Sequence, residues 1–183
     1  MQSHLPDLVT PRLRLIAITP ELLRADQAGG AEFGRLLACT IPANWPPVDW
    51  EPHVFDILFA QFERFPEQMA WHRYIALQQP EGARQLIGMT GAFWLEDKPA
   101  QCEVGYSVLP PFEGRGLATE AVQELIRLIA EDERIESVLA HTFPTLPGSI
   151  RVMEKCGMLP DGAGEEAGTI RYRRWLRGSA TTL

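Results

Sequence analysis

The chain is 183 residues long with a mass of 20.5 kDa; 45% of its residues are hydrophobic, 22% are charged, and its formal net charge is −7. Those values describe a soluble globular chain long enough to bury a sizeable core, most simply as one domain over residues 1–183. The acidic balance speaks against a nucleic-acid partner, which normally needs a basic face, while it permits a cationic partner such as an amine. An anionic ligand has to be held by local features, against the overall field.

Three cysteines, Cys39, Cys102 and Cys156, are scattered and odd in number, which fits packed, reduced thiols rather than a disulfide framework or a metal site. The first residues, "MQSHLPDLVTPRLRL", lack a basic start followed by an apolar stretch, and no apolar run approaches transmembrane length. The expectation is a cytoplasmic protein with no membrane partner.

Along the chain, "RLRLIAI" (12–18) alternates polar and apolar residues and predicts a first strand. "TPELLRADQA" opens a helix, with Thr19 as N-cap, Pro20 at the first position and Glu21 in the first turn. Four prolines and two tryptophans within 41–52 mark a loop. Phe55, Leu58, Phe59, Phe62 and Phe65 then recur at helical spacing, either as a core stripe or, with Trp45 and Trp50, as the lining of a pocket. Strands are predicted over 71–78, 85–95 and 101–109. In the last, Cys102, Val104, Tyr106 and Val108 share one face, and Gln101, Glu103, Gly105 and Ser107 the other. A helix follows with Ala118, Val122, Leu125 and Ile129 on its apolar face, then a strand over 136–143 and a short helix closed by Gly157. A last strand over 169–177 pairs through the glycine-rich 162–168 loop. The order describes an α/β fold, a mixed sheet with helices on both faces. Its 101–143 unit is a right-handed crossover that sets strands 101–109 and 136–143 in parallel.

The stretch "FEGRGLATEAV" (112–122) places two glycines directly before a helix. A strand that turns through glycines into a helix presents free backbone N–H groups at the positive end of the helix dipole, which makes an anion site. Gly114 and Gly116 leave room for phosphate oxygens to reach those amides, Thr119 adds a hydroxyl and Arg115 a charge. The other reading is a plain structural turn. A P-loop does not fit, because no lysine follows; the dinucleotide fingerprint does not fit, because Thr119 stands where it needs a small residue.

"GYSVLPPFEGRGLATEAV" resembles the acetyl-coenzyme A loop of the GNAT N-acetyltransferase superfamily, whose Q/R-x-x-G-x-G/A motif overlays Glu113 to Ala118. "TFPTLPGSIRVMEKCGM" is similar to the second signature of that family, and "TPRLRL" and "EVGYSV" to its RimJ/RimL branch. The four segments follow the family order and together span most of the chain. Four positions depart from the pattern. Glu113 stands at the Q/R position, Leu146 at a common asparagine, Met153 at the tyrosine that protonates the leaving thiolate, and Met158 at the phenylalanine of G-F.

The resemblance implies a GNAT-like, mostly antiparallel sheet whose central parallel pair splays apart for the cosubstrate. It implies direct acetyl transfer from acetyl-CoA to a primary amine, with no metal. The pantetheine arm would bond the backbone near Ser107, Val108 and Leu109. The pyrophosphate would sit on Gly114, Arg115, Gly116, Leu117, Ala118 and Thr119, and Ser149 would contact the thiol region. The amine, with a pKa of about 10, must lose a proton first. Glu103 is the first candidate base, against the alternative of a carboxylate paired with an arginine. His141 lies near the splay, as a second candidate or a structural histidine. Ser149 is the candidate acid and Tyr106 a weaker one. The acceptor, a small amine or a protein N-terminus, would lie between the 41–52 loop and the Phe-rich helix, with Trp45, Trp50 and Trp71 as walls. Homodimerisation is compatible with the fold. Two rival readings are a non-catalytic CoA-binding module and a protein that holds another phosphate ligand on the same loop.

Overall fold

The computed structural model describes residues 5–47, 50, 52–94 and 97–177. Val48, Asp49 and Glu51 of the expected loop, and Leu95 at the end of an expected strand, lie outside them. The described residues contain strands β1 (Leu8–Val9), β2 (Leu13–Ala17), β3 (Arg73–Gln78), β4 (Arg84–Trp94), β5 (Gln101–Val108), β6 (Ser137–Thr142), β7 (Leu159–Ala163) and β8 (Ile170–Trp175). The helices are α1 (Pro20–Ala28), α2 (Ala31–Leu37), α3 (Pro52–Arg64), α4 (Leu117–Ile129) and α5 (Pro147–Lys155). The strands form one sheet in the order β1-β2-β3-β4-β5-β6-β8-β7, antiparallel throughout except for the parallel β5–β6 pair.

Alternation along the strands sends side chains to two helical layers. Leu13, Leu15, Ile75 and Leu77 pack on Leu117 and Ala121 of α4, beside a cluster that joins Cys102, Val104, Val138 and Ala140 to Val122, Leu125, Ile129 and Met153. On the opposite face Ile16, Tyr74, Ala76, Leu86 and Met89 pack on Leu23 of α1, Phe33 and Leu37 of α2, and Phe55, Leu58 and Phe62 of α3. The α4 stripe holds Val122, Leu125 and Ile129 as expected and is broader than expected: Leu117, Ala121 and Ile126 are also buried, while Ala118 is half-buried. The helix starts immediately after Gly116, so its first residue already faces the sheet. In α3, Phe59 is half-buried under the Arg24 guanidinium, 5.6 Å from its ring. Phe65 lies beyond the helix end.

Two local features place the functional face. Thr19 caps α1 by accepting the Leu22 N–H at 3.2 Å. The buried Asp26 carboxylate then accepts Trp45 Nε1 at 2.7 Å, Trp50 Nε1 at 3.1 Å and the Tyr74 hydroxyl at 2.7 Å. Burial raises the Asp26 pKa against the pull of those three donors. The arrangement ties the tryptophans to α1 and β3, which makes Trp50 a fixed wall rather than a loose loop residue.

Candidate active site

The parallel pair is short. β5 and β6 are in register only at Gln101–Glu103 against Ser137–Leu139, whereas β5 runs to Val108 and β6 to Thr142. Past Glu103, β5 pairs only with β4, and β6 continues with β8. The two strands diverge, so the β5 edge from Val104 to Val108 offers its outward backbone groups to an extended ligand, as an added strand would use them. Of the residues expected there, Val108 lies on this edge, whereas the Ser107 carbonyl is turned against Gly88 of β4. Leu109 does not serve in the way expected: its N–H donates to the Ile87 carbonyl at 2.8 Å and its carbonyl accepts Phe112 N–H at 2.9 Å.

Beyond β5 the chain turns through Pro110–Phe112 and reaches Gly114 at φ +69° and Gly116 at φ +75°. Both are left-handed, where glycine carries no Cβ penalty. A Cβ at Gly114 would meet open space, and one at Gly116 only the Arg12 guanidinium at 3.6 Å. Protein crowding therefore does not select these glycines; backbone conformation does. Gly116 gives α4 no side-chain cap. Among the described residues, none of the Gly114 to Thr119 amides donates to a protein acceptor. The expected site residues Gly114, Arg115, Gly116, Leu117, Ala118 and Thr119 thus form a run of unspent donors at a helix N-terminus, which fits the pyrophosphate of acetyl-CoA. Arg115 stacks on the Phe112 ring at 5.8 Å, and Glu113 is exposed.

The loop is held by residues quoted from "TPRLRL" without an assigned role. Arg12 Nε meets Glu120 Oε2 at 2.6 Å and Arg12 Nη1 donates to the Arg115 carbonyl at 2.9 Å. The Thr10 hydroxyl donates to Glu120 Oε1 at 2.6 Å, and the Arg12 N–H to the same oxygen at 2.9 Å. Desolvation raises the Glu120 pKa, yet the hydrogen bonds from Thr10 and Arg12 outweigh it and hold the carboxyl below its ordinary value. Glu120 stays ionised and braces α4 against the β1–β2 turn.

Glu103 and His141 meet in the splay. Glu103 stands beside Leu139 across the parallel pair, so His141, two residues on, falls on the same face, and its Nδ1 lies 2.8 Å from Glu103 Oε1. The Glu103 side chain is 36% exposed and that of His141 13%. The carboxylate is therefore paired with a histidine and not with an arginine. On the other face, the Tyr106 hydroxyl lies 3.0 Å from both Ser149 Oγ and the Ser149 carbonyl. Burial pushes its pKa up to about 12. Met153 is fully buried in the core, so Tyr106 brings a phenol to the mouth of α5, where the family pattern would use the Met153 position.

A cleft of about 190 Å³ opens on the Glu103 face. Trp50, Val54 and Leu58 form one wall, Met89, Gly91 and Phe93 of β4 another, and Gly105 and Ser107 of β5 the floor. His72 lines it as well, its ring edge-on to Phe62 at 5.3 Å and Phe93 at 4.9 Å. A Cβ at Gly91 would run into that imidazole. Trp45 lies instead in a neighbouring cleft with Asp26, and Trp71 is buried against Trp94, so Trp50 alone of the three expected walls faces this site.

Burial, with the Arg73 charge adding to it, lowers the His72 pKa to about 3. The unfolded chain takes up a proton near 6.5 and the native one does not, so the stabilisation is full above about 6.5 and is lost as pH falls toward 3. Unfolding free energy is expected to drop by about 2 kcal/mol from this residue between pH 7 and pH 5. His72→Phe, which keeps a ring between Phe62 and Phe93, should flatten that slope in urea titrations. Asp26, with its raised pKa, works in the opposite direction and is common to both proteins.

A family model described as "Acetyltransferase (GNAT) domain" matches residues 14–159. The chain belongs to that family. Solved structures share the fold of this GNAT acetyltransferase at low identity. An acetyltransferase from Agrobacterium tumefaciens is 22% identical over 92% of this chain and 94% of its own, with a TM-score of 0.59. RimL, a ribosomal L7/L12 α-N-protein acetyltransferase in complex with coenzyme A, is 15% identical over 93% and 97%, with a TM-score of 0.59. The spermidine N-acetyltransferase SpeG from Vibrio cholerae is 17% identical over 92% and 95%, with a TM-score of 0.55. Among the described residues of this GNAT acetyltransferase, no helix is long and apolar enough to cross a membrane, and no group of three or more His, Cys, Asp and Glu side chains could hold a metal ion.

Proposed function

We propose that this GNAT acetyltransferase moves the acetyl group of acetyl-CoA directly onto the nitrogen of a primary amine, either a small amine or a protein N-terminus. The observation that carries the proposal is the Glu103–His141 pair beside the free β5 edge, with the unspent Gly114–Thr119 amides at its end. Amine acceptors of both kinds are named for proteins of the same fold, spermidine for SpeG and an α-amino terminus for RimL.

Bound acetyl-CoA supplies a thioester carbonyl. The amides of Gly114 to Thr119 hold the pyrophosphate, and the β5 edge at Val108 orients the pantetheine arm. Glu103, directly or through one water, accepts the proton the ammonium must lose, while His141 Nδ1 fixes its carboxylate. The amine nitrogen forms the new C–N bond as the C–S bond breaks, and backbone N–H groups near Val108 meet the charge gathering on the carbonyl oxygen. A phenol near 12 is a poor acid for a thiolate whose own pKa lies near 8.5, so Tyr106, donating to the Ser149 carbonyl, holds Ser149 in place, the Ser149 hydroxyl donates to the sulfur and solvent completes its protonation. We extend the proposal to residues 1–183 as one domain in a cytoplasmic setting, in keeping with the free thiols of Cys39, Cys102 and Cys156.

Direct transfer needs both substrates bound together. Initial rates varied in acetyl-CoA and amine are expected to give intersecting double-reciprocal lines, and protein incubated with acetyl-CoA alone should keep its mass. Parallel lines together with an acetylated protein would show a covalent route instead.

A further inference from the structure

We propose that the acceptor is a primary amine carrying one compact apolar group, an aromatic ring or a branched aliphatic chain, which seats in the cleft between α3 and the Gly91–Gly105 pair. This rests on the acetyl-transfer reading of the same site.

The cleft has the size for such a group. At about 190 Å³ it exceeds the roughly 150 Å³ cavity that accommodates benzene in an engineered protein interior. Its floor is open because Gly91 and Gly105 face each other across β4 and β5. The two glycines do different things. Gly91 makes room for the His72 ring, whereas a Cβ at Gly105 would meet nothing within 4 Å, so the space above Gly105 is left for something outside the fold. The walls are rigid: Trp50 is tied to Asp26 at 3.1 Å, and Leu58 is fully buried in α3.

The chemistry of the lining separates apolar amines from polycations. Among the described residues no charged side chain lines the cleft. His72 and Tyr106 are the ionisable residues there, both neutral throughout the physiological range, and His72 Nε2 is buried without a protein partner. The Thr90 hydroxyl is already spent on the Gly105 carbonyl at 2.9 Å. The nearby Asp26 carboxylate is occupied by its three donors. A second ammonium entering this cleft would lose water and, among the described lining residues, meet no counter-charge. A phenyl or branched alkyl group gains instead, about fourfold in affinity for each methylene buried. The reacting nitrogen would then lie toward Glu103, whose cross-strand neighbour Phe93 lines the cleft.

The test is acetylation kinetics with ethylamine, 3-methylbutylamine, 2-phenylethylamine and spermidine, plus a peptide with N-terminal phenylalanine to distinguish a macromolecular source of the group. kcat/KM for 2-phenylethylamine or the phenylalanine peptide is expected to exceed those for ethylamine and spermidine by about 100-fold. Val54→Phe, filling the cleft from α3, should collapse that ratio by at least about tenfold while the melting temperature and the KM for acetyl-CoA stay near wild type. Gly105→Val, filling the cleft from its floor, serves if the first variant fails to fold. Equal or better rates with ethylamine or spermidine would overturn the proposal while leaving acetyl transfer intact. If the variants change the preference for hexanoyl-CoA over acetyl-CoA and not the amine ratio, the cleft holds the acyl chain and the proposal fails. Turnover of none of these amines by a protein that binds acetyl-CoA would sink the transfer reading and this inference together.

Discussion

Glu103→Gln is expected to lower kcat/KM by about 10²- to 10⁴-fold, with little change in melting temperature. The substitution is nearly isosteric, and the glutamine carbonyl can still accept a hydrogen bond from His141 Nδ1, 2.8 Å from the native carboxylate. Geometry is therefore kept and the proton acceptor is removed. The pH profile identifies the cause. With no base left on the enzyme, the variant's rate should follow the free-amine fraction alone, whereas the native rate should not. An unchanged profile would remove Glu103 from the role of base. His141→Asn should cost less, about tenfold, because it loosens the carboxylate without deleting it.

Gly116→Val is expected to raise the KM for acetyl-CoA by about 100-fold or more, whereas Gly116→Asn should stay within about tenfold of wild type. The reason lies in the backbone. Gly116 sits at φ +75°, a β-branched residue resists that conformation, and its escape would turn away the first amides of α4. Asparagine tolerates the left-handed region, and its Cβ would approach only Arg12 at 3.6 Å. Equal loss in both variants would instead mean that the cosubstrate itself needs the space at Cα.

The GNAT-like mixed sheet with its single parallel pair was legible because β5 alternates cleanly and the glycine loop forces a crossover to β6. The anion site was legible for the same reason, since free amides at a helix N-terminus are a consequence of local chain geometry. Strand β7 was not, because Pro160 and Gly162 spoil its pattern; it survives at the sheet edge, where proline is tolerated. The Glu103–His141 contact was half legible: each residue stood out alone, and joining them needs the register that sets Glu103 beside Leu139. The brace from Thr10 and Arg12 to Glu120 spans more than a hundred positions in sequence, and no local signal marks it. The apolar cleft was hidden for a similar reason. Trp50 and the α3 stripe were visible as candidates, but the facing of Gly91 and Gly105 depends on strand pairing.

Calorimetric titration of the full chain with acetyl-CoA, run beside ATP and beside Gly116→Val, bears most directly on the central claim. One acetyl-CoA per chain, bound in roughly the micromolar range, with ATP much weaker and the variant silent, is the expected result. A folded protein that gives no heat with acetyl-CoA, or that takes up ATP equally well, would contradict it.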